Sequence, residues 1–152
     1  MGFWDLFSKP YRPLRLQAQE AEDIVPVSAL LQDAITRHEG LSLDQKASTF
    51  QMKFNRFCYE LDTKQPKRAP CVLQIHGVLK AQFMGIRPND TLNLLHIEAR
   101  ALEAPSYSLD FVFSHPDRES GLSKNLRLEV ECLDLLLLDL SAPYRVSSVP
   151  LH

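Results

Sequence analysis

Apolar and charged residues alternate without interruption along residues 126–132. A β-strand turns successive side chains to opposite faces, so a period of two indicates a strand with one buried and one solvated face. Four earlier segments carry the same pattern, and prolines lie in the gaps between segments, where they do not disturb a strand ladder. The five predicted strands are 49–62, 71–83, 91–101, 107–113 and 126–140.

A helical spacing of apolar residues precedes these strands and predicts one helix over residues 27–39. Ser28 can cap its start, and Gly40 lies where a glycine commonly ends a helix. Residues 14–16 are consistent with a short additional strand. The residues that fall at helical spacing are Val27, Leu30, Leu31, Ala34, Ile35 and His38.

A single register of successive antiparallel hairpins places apolar side chains on one face of all five strands. We therefore predict an α+β fold, a five-stranded antiparallel meander with one face packed on the N-terminal helix. A β-sandwich or a partly open barrel is the alternative. A change of apolar phase near residues 55–56 predicts a β-bulge. The layer that defines the register pairs Leu61 with Cys71, Cys71 with Ala101, Ala101 with Tyr107, and Tyr107 with Cys132.

The last predicted strand is apolar on both faces from residue 133 to residue 140. If Leu133, Leu135 and Leu137 continue the outward phase, they form an exposed apolar row, and such rows mark interaction sites. Alternatively, the chain itself covers both faces, or this leucine-rich segment leaves the sheet as a helix. The first alternative predicts a partner-binding surface at these three leucines.

The N-terminal residues 1–13 form a second candidate surface, an amphipathic tip or extended arm. At helical spacing Phe3, Trp4, Leu6 and Phe7 share one face, with Asp5 and Lys9 opposite. Phe3, Trp4 and Phe7 are thus candidates for contact with a partner groove or a membrane surface. The alternative is a short lid that docks on the protein's own core.

The length and the net charge of the chain limit the classes of protein to which it can belong. The 152 residues fit a single domain, 1–152, and the formal net charge of −2 argues against a dedicated nucleic-acid binder. No apolar run reaches the ~20 residues that span a bilayer. Without a recognisable secretory signal, the three cysteines predict free thiols and a cytoplasmic location. In the predicted register Cys58 faces the polar side, whereas Cys71 and Cys132 face the core.

The polar face of the predicted sheet offers one candidate metal site. The register places His76 opposite His96, with Glu98 and Asp110 one step along. Two imidazoles and two carboxylates suit zinc or iron. Ordinary solvated side chains on an open sheet face are the simpler interpretation of the same residues.

No catalytic or cofactor-binding motif occurs in the sequence, which favours a non-catalytic protein without a cofactor. We expect a protein-interaction module, an adaptor, chaperone-like carrier or inhibitor, that binds a protein partner or a second copy of itself. The alternatives are a small-ligand or metal-binding protein that uses His76 and His96, and a peripheral membrane protein.

Overall fold

The computed structural model describes residues 11–61, 64–114, 124–147 and 150, and these contain eleven strands and one short α-helix. Helix α1 is Ile24–Leu31, and 3-10 turns lie at Ala21–Asp23 and His38–Gly40. The strands are β1 (Arg15–Ala18), β2 (Ile35–Arg37), β3 (Leu41–Asp44), β4 (Thr49–Phe57), β5 (Lys67–Ile75), β6 (Val78–Met84), β7 (Thr91–Ala101), β8 (Tyr107–Phe113), β9 (Lys124–Val130), β10 (Leu135–Asp139) and β11 (Tyr144–Arg145).

All strand pairs are antiparallel, and the main path through the sheet is β1-β10-β5-β4-β2-β7-β8-β9-β6. Strand β11 adds to β5, and β3 adds to β4. The path is open, with β1 at one end and β6 at the other. The predicted class, a mostly antiparallel sheet with a helix, is therefore confirmed, but the five-stranded meander is wrong.

Two predicted strands each divide into two strands that lie far apart in the sheet. Segment 71–83 breaks at Gly77, which has a φ of 67°, a backbone conformation that glycine adopts without strain. Strand β5 before the break pairs with β4 and β10, whereas β6 after it pairs with β9. Segment 126–140 divides in the same way between β9 and β10. The prediction of a meander is wrong because a period of two reports which face of a strand is buried but not which other strand pairs with it.

The predicted register holds only for the hairpin of β7 and β8. For β4 and β5 it is wrong, since Cys71 lies opposite Phe54 rather than Leu61. Ala101 lies opposite Tyr107, as predicted. Tyr107 lies opposite Val130 rather than Cys132, a shift of two residues that preserves the face of each side chain. The predicted pairing of Cys71 with Ala101 is wrong, because β4 and β2 separate β5 from β7.

Strand β4 has no bulge at residues 55–56, since its pairing with β5 is regular from Phe50 to Phe57. The core-facing phase of Phe54 continues to Arg56, whose side chain is buried. The bulge was predicted on the assumption that Arg56 faces solvent, and that assumption is wrong.

The helix is shorter than predicted and ends at Leu31 instead of residue 39. Asp33 has a φ of 65°, which turns the chain. The Asp33 amide then donates a hydrogen bond to the Leu94 carbonyl of β7, and the Ala34 carbonyl accepts one from the Leu94 amide. Ser28 does not cap the helix; its hydroxyl accepts a 2.9 Å hydrogen bond from the Ile97 amide. Tertiary pairing thus converts the second half of the predicted helix into β2.

In the part of the chain that the structure describes, no helix is long and apolar enough to cross a membrane.

Candidate functional site

The leucines predicted to form an exposed interface belong to the core. Leu135 and Leu137 are 0% exposed, and Leu133 is also buried. Strand β10 lies between β1 and β5, so it is an interior strand rather than an edge. The prediction of a partner surface at these three leucines is wrong, because the N-terminal strand and β5 enclose β10 within the chain itself.

The outward phase of the same strand leads to a different surface. Leu140, the residue after β10, is 56% exposed. It lines an open groove of about 690 Å³, which we call the Leu140 groove. Its lining includes Ile35, Arg37, Glu39, Lys53, Pro70 and Leu140.

The Leu140 groove arises from an incomplete strand pairing at the centre of the sheet. Strand β3 pairs with β4 as far as Met52, and β2 meets β4 only at Asn55. Between them the Thr36 hydroxyl donates a 2.5 Å hydrogen bond to the Lys53 carbonyl. A side chain at Gly40 would approach the Thr36 oxygen to 2.8 Å, so glycine allows the 3-10 turn to lie close against β4. The interrupted ladder leaves a depression instead of a continuous sheet face.

Charged and apolar groups share this groove. Arg37 and Glu39 form an exposed ion pair with a nitrogen–oxygen distance of 3.8 Å. Within the described residues no carboxylate forms an ion pair with the Lys53 ammonium group, which is exposed. The groove therefore combines apolar contacts at Ile35 and Leu140 with a free positive charge.

A buried ionic network, which the sequence analysis missed, lies at the end of β4. Arg56 donates two parallel hydrogen bonds of 2.8 Å each to the carboxylate of Asp139 and two of 2.9 and 3.0 Å to Glu60. The side chains of Arg56 and Asp139 are 1% and 0% exposed. The Tyr11 hydroxyl and the Leu14 amide each donate a 2.9 Å hydrogen bond to Asp139. The network joins the N-terminal arm, β4 and β10.

The network shifts the pKa values of its members in the directions that its hydrogen bonds require. Burial alone would raise the pKa of Asp139, but hydrogen bonds from Arg56, Leu14 and Tyr11 outweigh it and lower that pKa. Burial alone would lower the pKa of Arg56, yet its two carboxylate partners raise it. Burial, followed by the hydrogen bond to Asp139, raises the pKa of Tyr11 to about 12. Arg56 and Asp139 are thus both charged at neutral pH.

This network is suited to holding the chain together rather than to proton transfer. The guanidinium already binds two carboxylates, and Asp139 already accepts bonds from three residues. The neighbouring thiol of Cys58 has its pKa raised to about 11, mainly by burial, so it is not a reactive thiolate at neutral pH. A sequence signal for the network did exist. Arg56 and Asp139 each continue an otherwise apolar phase of a strand, with opposite charges.

The predicted metal ligands do not come together. His76 follows β5 and contacts the Thr49 hydroxyl at 3.3 Å, whereas His96 is on β7 and contacts Glu98 at 2.9 Å. The predicted contact between the two histidines is wrong, because β4 and β2 lie between β5 and β7. Among the described residues there is no group of three or more His, Cys, Asp or Glu side chains placed to hold a metal ion.

Of the four predicted metal ligands, only His76 is separated from the others by intervening strands, since His96 contacts Glu98. Glu98 lies opposite Asp110, as predicted. Asp110, however, forms an ion pair with Arg127 on the next strand at 2.7 Å. The hydrogen bond to Asp110 raises the pKa of Arg127.

The predicted contact residues Phe3, Trp4 and Phe7 lie outside the described part of the chain.

The cysteines give a direct test of which faces are buried. Cys58 and Cys71 are buried and Cys132 is exposed, so the predicted faces of Cys58 and Cys132 are reversed. Burial raises the pKa of Cys71 to about 12 and that of Cys58 to about 11. We expect a thiol reagent at neutral pH to modify Cys132 quickly in the native protein and all three thiols in denaturant. Fast modification of Cys58, located by peptide mass spectrometry, would contradict this arrangement.

The chain matches the model of one protein family. Residues 14–152 match the model of a family described as proteins of unknown function, DUF2948. The chain belongs to the DUF2948 family. No curated protein and no solved structure matches it.

The DUF2948 match covers the Leu140 groove and all of the buried network except Tyr11. It begins at Leu14, the residue whose amide binds Asp139. The aromatic N-terminal residues 1–13 of this DUF2948 protein therefore lie outside the family match.

Proposed function

We propose that this DUF2948 protein is a non-catalytic protein-interaction module that binds a short segment of a partner protein in the Leu140 groove. The observation that carries the proposal is the groove itself, an open concavity of about 690 Å³ with a largely exposed leucine at one side. Large apolar side chains left exposed beside a concavity are typical of binding sites. In this proposal Leu140, rather than the buried leucines of β10, contacts the partner.

The chemistry of the groove indicates which segment it would bind. Ile35, Pro70 and Leu140 supply apolar contacts, which favour an apolar side chain on the partner. The exposed Lys53 ammonium favours an acidic group near that side chain. The Arg37–Glu39 pair on the same groove adds polar contacts. A short apolar segment with an acidic neighbour matches these features better than a highly basic one.

The titratable groups support a binding role over a catalytic one. The most deeply buried charges, Arg56 and Asp139, bind each other and so are not available to a substrate. The Cys58 thiol lies beside them with a pKa raised to about 11. A general acid or base works best with a pKa near the operating pH, and a thiol with so high a pKa is poorly suited to that task.

A random-peptide phage library selected on the full-length protein tests the proposal. We expect selected peptides to shift amide NMR signals of residues 35–40, 53–55 and 140. Leu140→Lys should weaken their binding by about tenfold or more, corresponding to a loss of about 1.4 kcal/mol. Leu79 on β6 provides the control, because it is 60% exposed and does not line the groove. Leu79→Lys should leave binding unchanged.

Three results would contradict the proposal. The first is a set of selected peptides that bind wild type and Leu140→Lys equally well. The second is a set of NMR shifts confined to the face that carries His96 and Glu98, which would favour the alternative of a ligand site there. The third is binding to lipid vesicles without any selected peptide, which would favour a peripheral membrane protein.

A further inference from the structure

We propose that the partner segment of the proposed function, on which this inference rests, is an amphipathic α-helix with acidic flanks that lies along β10 from Leu140 to Leu136. Three observations support it: an apolar stripe on the outward face of β10 and β5, an exposed cation on each side of that stripe, and strands beneath it whose backbones are already paired. Such a helix would extend beyond the Leu140 groove, which Leu136 does not line.

The outward face of β10 carries an apolar stripe. Leu136 and Leu138 point away from the core and are partly exposed. Leu140 continues the same phase, because its amide donates a 2.8 Å hydrogen bond to the Pro70 carbonyl and so extends the pairing of β10 with β5. Val72 lies opposite Leu138, so that Pro70 and Val72 widen the surface to two strands. We call these five residues the β10 stripe.

An exposed cation lies on each side of the β10 stripe. One row of paired positions across four strands consists of Arg15, Leu138, Val72 and Lys53. Arg15 and Lys53 are exposed, and within the described residues no carboxylate forms an ion pair with either. An occupant of the stripe therefore meets positive charge on both flanks, which favours carboxylates at those positions.

The strands beneath the β10 stripe favour a helix as the occupant. Strand β10 pairs with β1 and β5, and β5 pairs with β10 and β4, so their backbone groups bond within the sheet. A segment on this face must therefore pair its own backbone groups, and an α-helix does so internally. Three inter-strand steps separate the backbones of Arg15 and Lys53 by about 14 Å, which accommodates a helix about 10–12 Å wide.

The spacing of the three leucines matches the spacing of apolar side chains on one face of a helix. Leu136 and Leu140 are about 13 Å apart along the strand. A helix covers that distance in about nine residues. Apolar side chains at positions i, i+4 and i+8 of the partner can thus contact all three leucines, while carboxylates on either side of that row point towards the two cations.

A synthetic peptide tests the inference on the full-length protein. The probe has leucines at helical spacing and glutamates on both flanks of the leucine row, and the control peptide has the same composition in scrambled order. We expect only the probe to bind, by fluorescence anisotropy, and to gain helical circular dichroism on binding. Leu136→Lys should weaken its binding by about tenfold or more.

The charges are tested by reversal. Arg15→Glu lies outside the groove lining and should weaken binding severalfold at low salt, with a smaller effect at high salt. A probe with lysines in place of the glutamates should not bind wild type, but should bind a variant that carries both Arg15→Glu and Lys53→Glu. Leu79→Lys and Lys80→Glu, which change exposed residues of β6, should leave binding unchanged. Circular dichroism of each variant confirms that it is folded.

Several results would overturn the helical partner. They are a probe that fails to bind or binds no better than the scrambled peptide, a bound probe without helix, and unchanged binding to folded Leu136→Lys or to the charge-reversed protein. A wild-type dimer that Leu136→Lys dissociates would show that a second copy covers the stripe. Binding to vesicles of phosphatidylcholine and phosphatidylserine in place of the probe would show a lipid contact, and either outcome also overturns it.

The failure of this inference can be distinguished from the failure of the proposed function. Peptides from the phage library that require Leu140 but bind without helix and ignore Leu136→Lys would leave the proposed function standing and remove the helix. Library peptides that ignore Leu140→Lys would contradict the proposed function itself.

Discussion

Arg56→Met is expected to lower the free energy of unfolding by about 3–5 kcal/mol, the usual cost of removing one partner of a buried ion pair. The methionine fills much of the space but leaves the Asp139 carboxylate buried without its guanidinium. Tyr11 and the Leu14 amide would still donate to Asp139, but neither carries a positive charge. Urea denaturation at neutral pH, followed by circular dichroism, measures the change.

Arg127→Met is the matched control, because Arg127 also binds an aspartate, at 2.7 Å, but on a solvated sheet face. Its expected cost is much smaller, because solvent screens an exposed pair. Equal losses of stability in the two variants would contradict the burial of the Arg56–Asp139 pair and the position of Arg56 on the core-facing side of β4.

The same network makes a prediction about acid. The pKa of Asp139 is lowered in the folded protein, so its contribution to stability is fully present above the unfolded pKa of about 3.9. That contribution is lost as the pH falls through the folded value. The difference in stability between wild type and Arg56→Met should therefore shrink in acid. A difference that stays constant to the acid limit would show that the Arg56–Asp139 pair is not its source.

Leu135→Lys is expected to unfold the protein or to destabilise it by more than about 4 kcal/mol, because it buries an unpaired ammonium group in a packed core. Leu135 is 0% exposed and lies between Ala18 of β1 and Ile75 of β5. Thermal unfolding by calorimetry measures the loss, with light scattering to record the oligomeric state.

Leu136→Lys is the control on the next residue of the same strand, which points to the partly exposed face. A lysine there can extend its charged end into water, so the variant should remain folded with a much smaller loss of stability. A folded, monomeric Leu135→Lys beside a dimeric wild type would restore the interface that the sequence alone predicted.

The sequence by itself determined which side chains of β7, β8 and β9 face the core, but it gave the wrong face for Cys132 and for the leucines of residues 133–137. The alternation in β7, β8 and β9 specified the faces of Ile97, Phe111 and Leu126, because a one-residue slip would bury charges. It gave Ala101 opposite Tyr107 correctly, since those strands form a simple hairpin. It also indicated the apolar character of β10, although not what covers it.

Tertiary structure alone decided the order of the strands, and with it the candidate site. Gly77 and residues 131–134 redirect the chain between distant parts of the sheet, and no local periodicity reports the destination. That rearrangement separates His76 from His96, brings Arg56 to Asp139, and leaves Leu140 at the edge of a groove. A pattern of period two fixes the faces of a strand because it reflects burial, whereas the choice of partner strand depends on contacts between residues far apart in the sequence.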